Sequence, residues 1–107
     1  MSKTWDKILS LIENRDIKIS EHGYDELAAD GIKVREIVEG SPGGIVLEEY
    51  PDYPKGPCIL AMMRDQEGRP IHAVWGIPRG SASPAVLVTA YRPDPDKWED
   101  GFRRRRK

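Results

Sequence analysis

Apolar residues recur at helical spacing near the start of the chain. Trp5, Ile8, Leu9 and Ile12 fall on one side of a helix, after Ser2 and Thr4, either of which has a hydroxyl able to cap it. Ser20 caps a second predicted helix, EHGYDELAAD, in which Tyr24, Leu27 and Ala28 share a face and Gly31 marks the stop. A third, short helix, KVREIVEG, groups Val34, Ile37 and Val38 and ends at Gly40.

The period changes after Ser41. GIVLEEY, CILAMMR, IHAVWGI and AVLVTAYR are short runs rich in branched and apolar residues, bounded by Pro, Gly, Asp and Ser, and they read as four strands. DQEGRP between the second and third is a hairpin connection. Runs as continuously apolar as AVLV suit strands covered on at least one face. Asp94 with Pro95 then starts a last helix, on which Trp98 and Phe102, four apart, would dock onto the sheet. Gly101 lies inside this predicted helix and weakens it. The expected fold is therefore α+β: N-terminal helices, a four-stranded and mostly antiparallel sheet, and a C-terminal helix, with helices on one sheet face. The other face is the expected binding surface.

Composition narrows the function classes. The chain has 107 residues, 38% hydrophobic and 33% charged, which suits one globular domain over residues 1–107. The opening MSKTWDKILSLIENRD has no long apolar run, which argues against a signal peptide or a membrane span and places the protein in the cytoplasm. The single cysteine, Cys58, excludes an internal disulfide, and with only two histidines a Cys/His zinc site is not expected. No cofactor is expected. The net charge is −1, yet Arg103, Arg104, Arg105, Arg106 and Lys107 are consecutive. Without these five, 12 basic residues face 18 acidic ones, a net of −6. A cationic tail on an acidic body neutralises phosphates, docks an acidic protein, or is a solvated chain end.

Four side chains are candidates for chemistry. His72 points with Val74 and Gly76, opposite Ile71, Ala73, Trp75 and Ile77, and so toward a groove on the thinner flank. It reads either as a general acid or base or as a half-exposed strand histidine without a role. His22 sits in the first turn of the second helix, where free N–H groups favour a neutral imidazole; the alternative is a packing or capping residue. Arg92, at the end of the fourth strand, is placed to clamp a phosphate or, equally, to pair with Glu48, Glu49 or Asp52. Tyr91 is a proton donor at the sheet edge or a core aromatic. Glu48 and Glu49, being adjacent on a strand, face opposite ways and are no catalytic pair by themselves. Tyr50 and Tyr53 beside Pro51 and Pro54 form a stacking edge for bases or a rigid turn.

ISEHGYDELAADGI, GIVLEEYPDYPKGPCIL, GRPIHAVWGI and VTAYRPDPDKW together resemble a bacterial domain-of-unknown-function family related to the RelE, BrnT and MqsR toxins. The resemblance covers Ile17 to Arg104. It implies a RelE/BrnT-like toxin of a type II toxin–antitoxin system, a metal-independent endoribonuclease that cleaves messenger RNA and is held inactive by a cognate antitoxin, of zinc-ribbon or ribbon–helix–helix type. Arg92 occupies the place of the arginine that closes the last strand in BrnT-like members, and His72 and His22 match the unknown-function family's pattern. The implied mechanism has His72 or His22 accept the proton of a ribose 2′-hydroxyl. Arg92 and the terminal basic residues steady the phosphoryl charge, and Tyr91 or the second histidine protonates the leaving oxygen. The competing expectation is a non-catalytic RNA- or protein-binding module of the same fold.

Overall fold

The computed structural model describes residues 2–106. Helix α1, Lys3–Glu13, is capped by Ser2, whose Oγ accepts from the Trp5 N–H at 3.0 Å; Trp5, Ile8 and Ile12 are its buried side. Helix α2, Glu21–Asp30, is capped by Ser20 and ends at Gly31 in the left-handed region, φ 64°. A β-carbon there would strain the backbone, which is why glycine suits the stop. Helix α3, Val34–Gly40, buries Ile37 and is followed by a short 3-10 turn, Ser41–Gly43.

Four further strands were expected, and they form: β2 (Ile45–Tyr50), β3 (Cys58–Arg64), β4 (Pro70–Gly76) and β5 (Ala85–Tyr91), each antiparallel to the next. The sheet nevertheless has five strands, because Ile17–Ile19 between α1 and α2 forms β1 and pairs parallel to β5. The order is β1-β5-β4-β3-β2, a mixed sheet rather than a four-stranded one. Three residues are too few to show a period of two, so alternation alone could not reveal β1. Its anchor is instead the loop after it: the Ser20 N–H donates to the Leu87 carbonyl, and its hydroxyl to that of Val88.

The C-terminal helix does not form. Trp98–Glu99 (β6) and Arg104–Arg105 (β7) pair as a two-stranded antiparallel hairpin. Asp100, Gly101 and Phe102 in its turn have φ of 53°, 66° and 68°, values no right-handed helix accepts. The local cause is legible after the fact: Asp-Gly is a strong hairpin signal, and here it outweighs the four-residue spacing of Trp98 and Phe102. Pro93, Pro95 and an Asp94 carboxylate that accepts from the Asp96 N–H shape the approach.

One face of the sheet carries the core. Ile59, Ala61 and Met63, then Ile71, Ala73 and Trp75, then Ala85, Leu87 and Ala90 pack against Trp5, Ile8, Ile12, Leu27 and Ile37 from the helices. Alternation therefore sends Leu60, Met62, His72, Val74 and Tyr91 to the opposite face. No helix among the described residues is long and apolar enough to cross a membrane.

Candidate binding face and the hairpin that straps it

The face opposite the helices is divided in two. Its half around His72 is covered by the β6–β7 hairpin, and its other half is an open groove. His72 pairs across strands with Met62 and Tyr91 and is wholly buried, because Trp98 of the hairpin lies on it. The Phe102 carbonyl is 2.7 Å from Nε2 and can only accept, so Nε2 carries the proton. Nδ1 is then the acceptor facing the Tyr91 hydroxyl at 3.4 Å. Burial pushes the imidazole below the usual histidine range, against the opposing pull of the Phe102 carbonyl; Arg105 lowers it further and Glu48 raises it. Burial likewise pushes the Tyr91 hydroxyl up. His72 is thus a neutral imidazole holding two partners.

A second polar group clamps the hairpin's far strand. Arg105 grips Glu48 with two bonds, Nε at 2.8 Å from Oε2 and Nη2 at 3.1 Å from Oε1, while its guanidinium lies 4.7 Å over the Trp98 ring. The Tyr50 hydroxyl donates to Oε1 of the same carboxylate. The Arg105 bond holds Glu48 below the ordinary carboxylate range despite its partial burial, and Glu48 in turn raises Tyr50.

The remaining candidates lie elsewhere. Arg92 does not face outward as a phosphate clamp: its Nη1 is 2.9 Å from Asp65 Oδ2 and 3.3 Å from the Pro70 carbonyl, and its own N–H donates to Asp30 Oδ2 at 2.8 Å. The expected carboxylate partners were Glu48, Glu49 or Asp52; the partner is Asp65, whose side chain is 1% exposed. Burial would raise Asp65, but N–H bonds from Arg69 and Glu67 and the Arg92 guanidinium outweigh it and hold the carboxyl low. Arg92 therefore fastens the end of β5 to the β3–β4 turn. His22 is 66% exposed on α2, in the helical layer, with Nε2 3.6 Å from Glu26 Oε1. No hydrogen bond, ion pair or ring contact joins it to His72 among the described residues. The structure thus brings His72 and Tyr91 together, and brings neither His22 nor Arg92 to them.

The basic tail is also engaged. Arg104 and Arg106 both reach Glu99, at 3.2 and 3.6 Å, and Arg106 donates to the Pro95 carbonyl at 2.9 Å. With Arg105 on Glu48, only Arg103 of residues 103–106 has no carboxylate within 4.0 Å among the described residues. Lys107 lies outside the described residues. Over its described residues, 103–106, the tail belongs to the hairpin rather than to a loose cationic arm.

Beyond the hairpin the same face opens into a groove of about 500 Å³, floored by Cys58, Val74, Gly76, Val86 and Val88 and flanked by Tyr50 and Tyr53. Lys55 is the one charged residue of its lining. Two backbone features shape it. Gly76 keeps the floor low, since a β-carbon there would come within 3.3 Å of Cys58 Cβ. A register shift between Val74 and Trp75 leaves Val88 unpaired with β4, and its side chain is partly exposed in the groove. The sequence placed a binding surface on this face, with Val74 and Gly76 beside a groove and Tyr50 and Tyr53 at an edge, but not the apolar floor that Cys58, Val86 and Val88 complete. Its signal was the unbroken apolarity of CILAMMR and AVLVTAYR, which puts apolar side chains on both faces of the sheet.

Residues 19–92 match the family described as "Domain of unknown function (DUF4258)". No curated protein and no solved structure gives a significant match to the chain. The matched segment runs from the last residue of β1 to Arg92 and so takes in the whole groove, while the hairpin lies beyond it.

Proposed function

The chain belongs to the DUF4258 family, and on that footing we propose that it is a protein-binding module whose open sheet face receives an apolar segment of a partner. The observation that carries this reading is the groove: its volume of about 500 Å³ is walled by valines, Cys58 and two tyrosines, with a single cation at Lys55. Clefts of this size and lining recognise apolar groups and use a few polar ones for orientation. A polyanion would find little to neutralise it there, because the arginines of the neighbouring hairpin are mostly held by Glu48 and Glu99. The resemblance to toxin–antitoxin proteins names the first partner to try, the antitoxin-like product of a neighbouring gene. The test is co-purification of that product with the wild type and with Val88→Glu, which sets a charge in the groove. Capture by the wild type and loss in the variant are expected. Equal capture by both would remove the groove from the reading.

A second reading is RNA cleavage of the toxin type, independent of a bound metal. It is favoured by one observation, the convergence of Glu48, Tyr50, His72, Tyr91 and Arg105 on the same face. In that reading Nδ1 of His72 takes the 2′-hydroxyl proton as the oxygen attacks phosphorus and the bond to the 5′-oxygen breaks. Tyr91 then protonates the leaving oxygen, and Arg105 takes the role first expected of Arg92. The hairpin has to lift for RNA to reach His72 and to reseat over the bound phosphate for Arg105 to act. Purified wild type that leaves RNA intact supports the binding module; cleavage that disappears in His72→Ala would overturn it in favour of the nuclease.

A further inference from the structure

The hairpin is a poorly fastened part of the chain. Among the described residues, the hydrogen bonds joining residues 93–106 to the rest of the protein are the one between His72 and the Phe102 carbonyl and the pair from Arg105 to Glu48. The Arg105 side chain is more than half exposed, and exposed ion pairs contribute little. The two strands have two residues each, and the turn between them holds three successive left-handed residues, two of which carry side chains. What remains is packing: the buried Trp98 ring in a seat formed by His72 and flanked by Tyr91, with half-buried Phe102 in the turn and buried Pro93 at the approach.

The seat is nonetheless specific. It offers an edge-on aromatic contact at 4.3 Å and, beside it, a carboxylate already oriented by the Tyr50 hydroxyl to take a guanidinium in two bonds. Trp98 and Arg105 are directly opposite each other on the two strands, so one short segment supplies both groups. We propose that the hairpin is a displaceable strap, and that its seat at Glu48, His72 and Tyr91 is a recognition site for a protein segment presenting an aromatic side chain and an arginine. This rests on reading the open face as a binding surface and extends it, since Tyr50 belongs both to the groove and to the seat. The charge complementarity of Glu48 selects a cationic segment over RNA.

The chain contains its own control for the test. His22 is open to solvent and His72 is sealed, so carbethoxylation by diethylpyrocarbonate, read by mass spectrometry, reports them separately. In the wild type His22 reacts fast and His72 slower by on the order of a hundredfold. In Trp98→Ala/Arg105→Ala, with an unchanged far-ultraviolet spectrum, His72 gains most of that factor. A peptide of the strap's own sequence, DKWEDGFRRRR, then restores its protection, and the same peptide with alanine for the tryptophan and the third arginine does not. Arg105→Ala alone, which removes no buried ring, gives a smaller gain and serves if the double variant unfolds. His72 unreactive in the folded variants, or protected by an RNA oligonucleotide and not by the peptide, would overturn the proposal. Either result leaves the groove untouched, because partner capture and its loss in Val88→Glu are measured independently.

Discussion

The Trp98 indole stands edge-on to the His72 imidazole, with ring centroids 4.3 Å apart and planes at 89°. This contact joins the C-terminal hairpin to the middle of the sheet and contributes to the burial that lowers the His72 pKa. An indole edge, a tyrosine, a backbone carbonyl, Arg105 and Glu48 face the imidazole, and burial among them outweighs the groups that favour charge.

The sign of the resulting pH dependence is fixed. A histidine whose folded value lies below its unfolded one, about 6.5, takes up protons in the unfolded chain first. Its contribution to stability is complete above that value and declines as pH falls below it. Urea midpoints measured at pH 7 and pH 5 should therefore drop toward acid in the wild type and drop less in His72→Asn. Glu48, held low by Arg105, adds a separate loss that begins only below about 4.5, outside this window. Equal slopes in the two proteins would mean that burial does not control this imidazole.

Arg92 should behave as a fastener. Arg92→Ala leaves the buried Asp65 with the Arg69 guanidinium alone and loosens the end of β5 from the β3–β4 turn. The expected result is a Tm lower by on the order of 5 °C, with carbethoxylation of His72 unchanged. A variant with wild-type Tm that lost partner or RNA binding would restore the exposed clamp that the sequence led us to expect.

The sequence was most legible where a local rule had no competitor. Ser20 caps α2 and Gly31 ends it, and the alternation of IHAVWGI sends His72 away from the helices as expected; of the two caps offered for α1, Ser2 is the one used. It was least legible where two local rules disagreed or none applied. Three residues of β1 show no period, and their strand exists because β5 offers an edge beside them. At the C-terminus the Trp98–Phe102 spacing argued for a helix and Asp100–Gly101 for a turn, and burial of Trp98 on His72 accompanies the second outcome. Arg92 was read correctly as a strand-end arginine, but its partner is 27 positions away with two strands between them, a distance no spacing rule covers.

The groove should respond to volume as well as charge. Gly76→Val puts a branched side chain on a floor where even a β-carbon meets Cys58 Cβ at 3.3 Å. Partner affinity should fall by about tenfold or more, the equivalent of roughly 1.4 kcal/mol. Gly76→Ala, which asks Cys58 to give only a few tenths of an ångström, should fall in between. Isothermal titration with the co-purifying partner measures the series, and an affinity independent of side-chain size would place the partner elsewhere.

The hairpin turn supplies the last prediction. Gly101 has φ 66° and nothing within 4 Å of a β-carbon built on it, so Gly101→Ala adds backbone strain without a clash. The cost of a left-handed alanine is on the order of 1–2 kcal/mol, comparable to what an exposed ion pair and one hydrogen bond contribute together. It should therefore loosen the strap without unfolding the domain. Amide exchange separates these outcomes: the Arg106 N–H, bonded to the Lys97 carbonyl at 2.8 Å within the hairpin, should exchange several-fold faster. Amides of β3 and β4 should keep their wild-type rates. If strap and sheet amides accelerate together, the hairpin is part of the cooperative core, and a segment that unfolds only with the whole domain cannot act as a strap.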